Sequence, residues 1–276
     1  MQSAFFQEKY NSIALGHRLR INIPIARLPS HTLLDMPVFV YKGKEKGHNL
    51  LLTAGIHGDE INGIVILRRL ISEKYLMPDA GTVIAVPLVN IYGFLQNSRN
   101  LPDGKDLNRC FPGTQTGSIA SQIACIVSKI ILPNVDFGVD FHTGGNKIGN
   151  YPQIRCVLSD KKNMELAHYF APPFILQSEL IDKSFRKEAA KKNKSILVYE
   201  GGESLRLDEL SIQEGVRGIK RLMHHLGMKK NSDLDLSRKS VILEKTSWLR
   251  AKTAGIFDCR VLTGDFVRKN QILAHI

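Results

Sequence analysis

The sequence predicts an α/β domain, a mixed β-sheet flanked by helices, followed by a small all-β appendage. Three observations carry this. Apolar runs rich in β-branched residues alternate with helical patterns through most of the chain. Helical periodicity is lost after the polar stretch MKKNSDLDLSRK at 228–239. A length of 276 residues suits one large domain plus an appendage.

In order, the runs at 18–25, 36–41 and 49–55 read as strands, and 59–73 as an amphipathic helix with Ile61, Ile64, Val65, Leu67 and Leu70 on one face. A strand at 81–87 follows. The stretch 118–132 repeats Ile119, Ile123, Ile126, Val127 and Ile130 at helical spacing, and strands are expected at 135–142, 153–158 and 195–200. A helix at 210–226 ends at Gly227, which suits a left-handed cap. Beyond the polar stretch, short alternating strands are broken at Ala254-Gly255 and Gly264-Asp265. The predicted division is therefore 1–230 and 240–276. An appendage of ~40 residues is too small for a core of its own, so it is expected to pack on the main domain or pair with another chain, which would make a homo-oligomer.

Composition narrows the class. With 43% hydrophobic and 23% charged residues, 22 Gly and 11 Pro, the chain is neither collagen-like nor disordered. No window approaches the ~18 apolar residues of a membrane span, and the first residues lack the pattern of a secretion signal, so a cytoplasmic protein without a membrane partner is expected. The excess of 38 Lys and Arg over 26 Asp and Glu favours anionic ligands. Its densest stretch, Arg186, Lys187, Lys191, Lys192 and Lys194, has no interleaved aromatic residues and reads as a solvated helix face; no specific nucleic-acid partner is expected. Cys110, Cys125, Cys156 and Cys259 fit neither a CxxC pair nor a secreted disulfide framework, and are expected to be reduced, partly buried thiols.

The strongest local feature is LLLTAGIHGDEINGIVIL, a buried-type strand running into Gly55, His57, Gly58, Asp59 and Glu60 and then a helix. Strand carboxyl ends face the binding crevice of an open α/β sheet. His57 and Glu60 can there aim an imidazole and a carboxylate at one point, and His142, at the end of VDFHTGG, is the candidate third ligand. Two His and one carboxylate would make a catalytic zinc site with an open position for water. Taken alone, the HxxE spacing is equally that of a helix start with an acid favoured by the dipole. The remaining histidines have no such partner and read as structural.

Two further stretches bear on chemistry. In NSRNLPDGKDLNRCFPG, Arg99, Asn108 and Arg109 could hold a carboxylate and polarise a carbonyl, and Asp106 could orient a ligating imidazole. Ordinary surface arginines tied to a turn explain the same loop. In SILVYEGGES, Glu200 ends a strand where it could take a proton from water and return it to a leaving amine, whereas Glu203 lies beyond the glycine turn.

GIHGDE, RNLPDGKDLNRCFPG, VDFHTGG and VYEGGE, in that order, resemble the succinylglutamate desuccinylase and aspartoacylase family, relatives of zinc carboxypeptidases. The resemblance covers roughly residues 30–230, and AKTAGIFDCRVLTGDFVRKNQILAHI is similar to the small β domain that follows in many members. It implies a zinc carboxypeptidase-like fold and one Zn²⁺ held by His57, Glu60 and His142. It also implies Glu200 as general base and acid, Arg99 at the oxyanion, and Asn108 and Arg109 on a substrate carboxylate. The expected function is zinc-dependent hydrolysis of the amide of an N-acyl amino acid or a related small carboxylate. The family pattern continues into a second Gly-containing hairpin beyond Ile276, so an incomplete small domain is also expected. Alternatives are a zinc metallocarboxypeptidase acting on short peptides, a metal-free anion-binding module and a basic nucleic-acid-binding protein.

Overall fold

The computed structural model describes residues 2–230 and 234–276. From the amino end the elements are α1 (Gln2–Ser12), β1 (Arg18–Arg27), β2 (Leu33–Lys42), β3 (Glu45–Ala54), α2 (Asn62–Ser72), β4 (Ala80–Val86) and α3 (Ile91–Leu95). There follow α4 (Ile119–Ile126), β5 (Phe137–Gly144), β6 (Asn150–Cys156), α5 (Lys161–Phe170), β7 (Phe174–Gln177) and α6 (Phe185–Lys191). The chain closes with β8 (Ser195–Glu203), α7 (Glu209–His225), β9 (Val241–Leu243), β10 (Asp258–Cys259) and β11 (Ala274–His275).

Nine strands form one mixed sheet in the order β1-β2-β4-β3-β5-β8-β6-β7-β9. Its centre, β4-β3-β5-β8, is parallel; β1 runs against β2, β2 against β4 and β6 against β8, while β6, β7 and β9 are parallel to one another. Successive strand side chains point to opposite faces. Leu50 and Leu52 accordingly pack with α2, α5 and α7 through Leu67, Phe170 and Ile219, while Leu51 packs on the other face with Phe6, Ile123 and Phe185 of α1, α4 and α6. The central strands are thus buried on both faces, the reason they read as continuous apolar runs. Ligand-facing chemistry is left to their carboxyl ends.

Where the boundaries differ from expectation, local chemistry explains them. The helix expected over 59–73 begins only at Asn62, because His57–Glu60 form a turn in which the Glu60 amide donates to the His57 carbonyl at 3.3 Å. The pattern over 118–132 is α4 followed by one wider π-type turn, Val127–Ile131, and a single 3₁₀ turn containing Pro133, whose missing N–H helps end the helical ladder. Helix α7 starts on Asp208, whose carboxylate accepts the Ser211 amide at 2.7 Å, and stops before Gly227 at φ +66°.

The carboxyl-terminal stretch does not stand apart at its start. Leu243 is in register with Leu176, so β9 becomes the edge strand of the main sheet, and the Val241 amide donates to the Pro173 carbonyl. Beyond it only β10 and β11 pair, and Ile256 and Phe266 remain 89% and 87% exposed. Three residues of the expected boundary stretch, 231–233, lie outside the described residues. No disulfide forms among the cysteines, of which Cys259 is exposed rather than partly buried. Among the described residues, no helix is long and apolar enough to cross a membrane.

Candidate active site

Three strand ends bring the site together. After β3, Gly55 takes φ +64° and turns the chain under Leu88. Gly58 passes so close to the Gly93 backbone that a Cβ there would stand 1.9 Å from a carbonyl carbon, so no other residue fits between His57 and Glu60 without a shift. His142 lies at the end of β5 and Glu200 near the end of β8, directly opposite each other in the ladder. Asn62 closes the third side: its Nδ2 donates to the Gly201 carbonyl at 3.1 Å and its Oδ1 accepts the Asp208 amide.

The Glu60 carboxylate sits between two imidazoles, Oε1 at 2.8 Å from His57 Nδ1 and Oε2 at 2.7 Å from His142 Nδ1, and the two Nδ1 atoms are 3.3 Å apart. All three residues are buried. The far nitrogen of each ring faces another carboxylate: His57 Nε2 is 3.2 Å from Asp106 and His142 Nε2 is 2.7 Å from Asp140, which itself accepts the Thr53 hydroxyl at 2.7 Å. With Nε2–H donated outward, each Nδ1 presents a lone pair inward. Two such lone pairs and an anionic carboxylate converging in a buried space call for a cation.

Electrostatics point the same way. Burial alone would lower the His142 pKa, but Asp140 and Glu60 outweigh it and hold it well above the ordinary imidazole value. His57 is raised on balance by Glu60 and Asp106 against its burial. Burial pushes Glu60 up, yet His142 and His57 pull it well below the usual carboxylate range. The cluster His57, Glu60, His142 has ligand atoms within 4.8 Å of one another, and its two-nitrogen, one-carboxylate donor set with carboxylate-backed imidazoles fits zinc.

Arg99, Asn108, Arg109 and Glu200 line one cavity with the cluster. Arg99 bridges the site, Nη1 donating to Glu60 Oε1 at 3.1 Å and Nη2 to Asp106 Oδ2 at 3.1 Å. Asp106 takes the orienting position on His57. Asn108 accepts the Phe185 amide at Oδ1, at 2.8 Å, which leaves its NH₂ as the free donor, and Arg109 Nη1 donates to the Asn108 carbonyl at 2.7 Å. Glu200 is held from β6 on both oxygens, by Asn150 Nδ2 at 2.9 Å and Arg155 Nη1 at 3.3 Å. Burial raises its pKa, and Arg155 only partly offsets this. Glu203 instead lies 3.7 Å from Arg206, outside the cavity wall.

Several contributors were not anticipated. Asp140 is two residues before His142 on one strand and therefore on the same side, a D-x-H spacing that could have revealed it. Asn150 and Arg155 had no local signal, since their roles depend on β6 lying beside β8. Arg186, expected on a solvated helix face, instead lines the cavity: its guanidinium donates to the Arg155 carbonyl at 3.3 Å, to Ser178 Oγ at 3.0 Å and to the Glu179 carbonyl. It is the second residue of α6, and the start of that helix faces the site rather than water.

Known proteins resemble this chain in sequence and fold. Residues 46–226 match the sequence model of the succinylglutamate desuccinylase/aspartoacylase catalytic domain. The N-alpha-acetyl-L-2,4-diaminobutyric acid deacetylase of Halomonas elongata is 30% identical over 254 residues, 87% of this chain and 73% of that protein. A succinylglutamate desuccinylase/aspartoacylase structure from Rhodobacter sphaeroides superposes with a TM-score of 0.79 at 26% identity, over 93% of this chain and 82% of that one. An aspartoacylase family protein from Mesorhizobium loti gives 0.78 at 27% identity, over 95% and 82%. Sequence and fold agree over most of its length: the chain belongs to the succinylglutamate desuccinylase/aspartoacylase family.

Proposed function

We propose that this protein is a zinc-dependent deacylase that hydrolyses the amide bond of an N-acyl amino acid or a related small carboxylate in the cytoplasm. The observation that carries this is the inward convergence of His57 Nδ1, Glu60 and His142 Nδ1, with Glu200 standing across the ladder from His142. The deacetylase activity named for the Halomonas relative supports the same reaction class.

His57, Glu60 and His142 would hold one zinc ion per chain. When bound, zinc supplies a Lewis acid that lowers the pKa of water toward ~7 and polarises the scissile carbonyl. Glu200 accepts a proton from the attacking water at its carboxylate and returns it to the leaving nitrogen. Asn150 and Arg155 fix the carboxylate for that transfer. Arg99 uses three N–H groups on Glu60 and Asp106, so two of the five guanidinium donors remain for charge that develops on the carbonyl oxygen. The NH₂ of Asn108 and the guanidinium of Arg109 receive the substrate carboxylate.

The test is metal loading followed by a mixed panel of N-acyl amino acids, short peptides and esters. Release of free amino acid from the acyl compounds supports the proposal. Cleavage confined to peptides would make the protein a carboxypeptidase, because Asn108 and Arg109 could hold a peptide carboxylate equally well.

A further inference from the structure

The cavity over the ligand cluster encloses about 310 Å³. Most polar groups in its wall already have protein partners: Arg155 on Glu200, Arg186 on Ser178, Arg99 on Asp106. Val198 of β8 apart, three apolar side chains interrupt this lining: Ile148, Ile181 and Trp248. They are 45%, 51% and 71% exposed, so they are apolar surface left in contact with water. They come from three separate stretches: the turn between β5 and β6, the segment before α6, and the chain after β9. The pairing of Leu243 with Leu176 anchors the chain five residues before Trp248. Arg250 lies 5.8 Å from the indole centroid, and the ring stays exposed.

We propose that Trp248, with Ile148 and Ile181, forms an apolar subsite that sets specificity, so that the enzyme prefers N-acyl amino acids carrying an apolar group larger than the acetyl methyl. This rests on the deacylase reading of the same cavity and specifies its substrate class. An apolar group seated there would cover the three side chains, whereas a polar one would displace water from them with no hydrogen bond in return. The indole offers a large contact area at small conformational cost. The apolar group can be borne by the acyl chain or by the amino-acid side chain, and the two are separable by experiment.

Trp248 is the single tryptophan of the chain, so emission excited selectively in tryptophan reports on this subsite alone. The zinc-loaded protein is titrated with N-acetyl-, N-butanoyl- and N-hexanoylglycine, and separately with N-acetyl derivatives of alanine, leucine and phenylalanine. In the series that reaches the subsite, the emission moves to shorter wavelength and KM falls by roughly two- to fourfold for each added methylene. Trp248→Ala flattens that dependence of KM while kcat changes less, and Trp248→Phe restores most of it. An emission spectrum unmoved by both series at saturation, or a KM dependence on size identical in wild type and Trp248→Ala, overturns the proposal. Absence of hydrolysis of every acyl compound would instead strike the deacylase reading, and the emission shift alone would then still decide for or against the subsite.

Discussion

Glu200 stands directly opposite His142 in the parallel β5–β8 ladder, and the antiparallel strand on its other side grips both its oxygens through Asn150 and Arg155. A partly buried carboxylate is thus held beside the imidazole cluster without being part of it. Position and anchoring together suit a proton carrier.

Glu200→Gln keeps the shape and the hydrogen bond to Asn150 but removes the base. Turnover is expected to fall by about 10²–10⁴-fold with the metal content unchanged. Steady-state kinetics alongside metal analysis checks this, and a variant with full activity would remove Glu200 from the mechanism.

The pH dependence has a definite sign. Burial raises the Glu200 pKa above the ordinary carboxylate value and Arg155 works against that rise. The base must be ionised to act, so activity is lost as pH falls through its pKa. Arg155→Met takes away the opposing cation, and the acidic limb of the kcat/KM profile is expected to move to higher pH. A limb that stays in place or moves to lower pH would contradict the pairing.

Asp140 holds His142 Nε2 at 2.7 Å and is itself buried and tied to Thr53. Asp140→Asn should weaken metal binding by about 10–100-fold, measured by competition with a chelator, since backing carboxylates fix ring orientation and basicity. Unaltered affinity would show that the contact is incidental.

Arg109→Ala tests substrate recognition. Loss of a charge-assisted contact should raise KM for a carboxylate-bearing substrate by roughly ten- to a hundredfold and change kcat less. An unchanged KM would place the carboxylate elsewhere.

One substitution tests packing away from the site. Gly→Ala within a helix ordinarily gains up to ~1 kcal/mol, but a Cβ at Gly218 of α7 would stand 2.1 Å from the ring of fully buried Phe170. Overpacking costs about 1–3 kcal/mol, so Gly218→Ala should lower the urea midpoint. A midpoint that rises would mean the ring moves aside freely.

The central strands were legible because burial on both faces leaves runs of consecutive apolar residues, as at Leu50–Leu52 and Val83–Val86. Short elements were not: β7 has only four residues, and α5 buries little beyond Leu166, Ala167 and Phe170. The grouping of His57, Glu60 and His142 was legible because each ends or follows a recognisable strand, and the family resemblance implied a role for it. What supports the cluster was hidden. Arg155 and Asn150 act only because β6 inserts between β8 and β7, a neighbour relationship that local sequence does not encode. Arg186 shows the same limit, since a basic run says nothing of which helix end turns inward.

The most direct test of the metal centre is the zinc content of the purified, metal-loaded chain compared with His142→Ala. About one zinc per chain is expected in the wild type, falling to a small fraction in the variant while the fold is retained by circular dichroism. Equal zinc in both proteins, or none in either after loading, would mean that His57, Glu60 and His142 do not form the site.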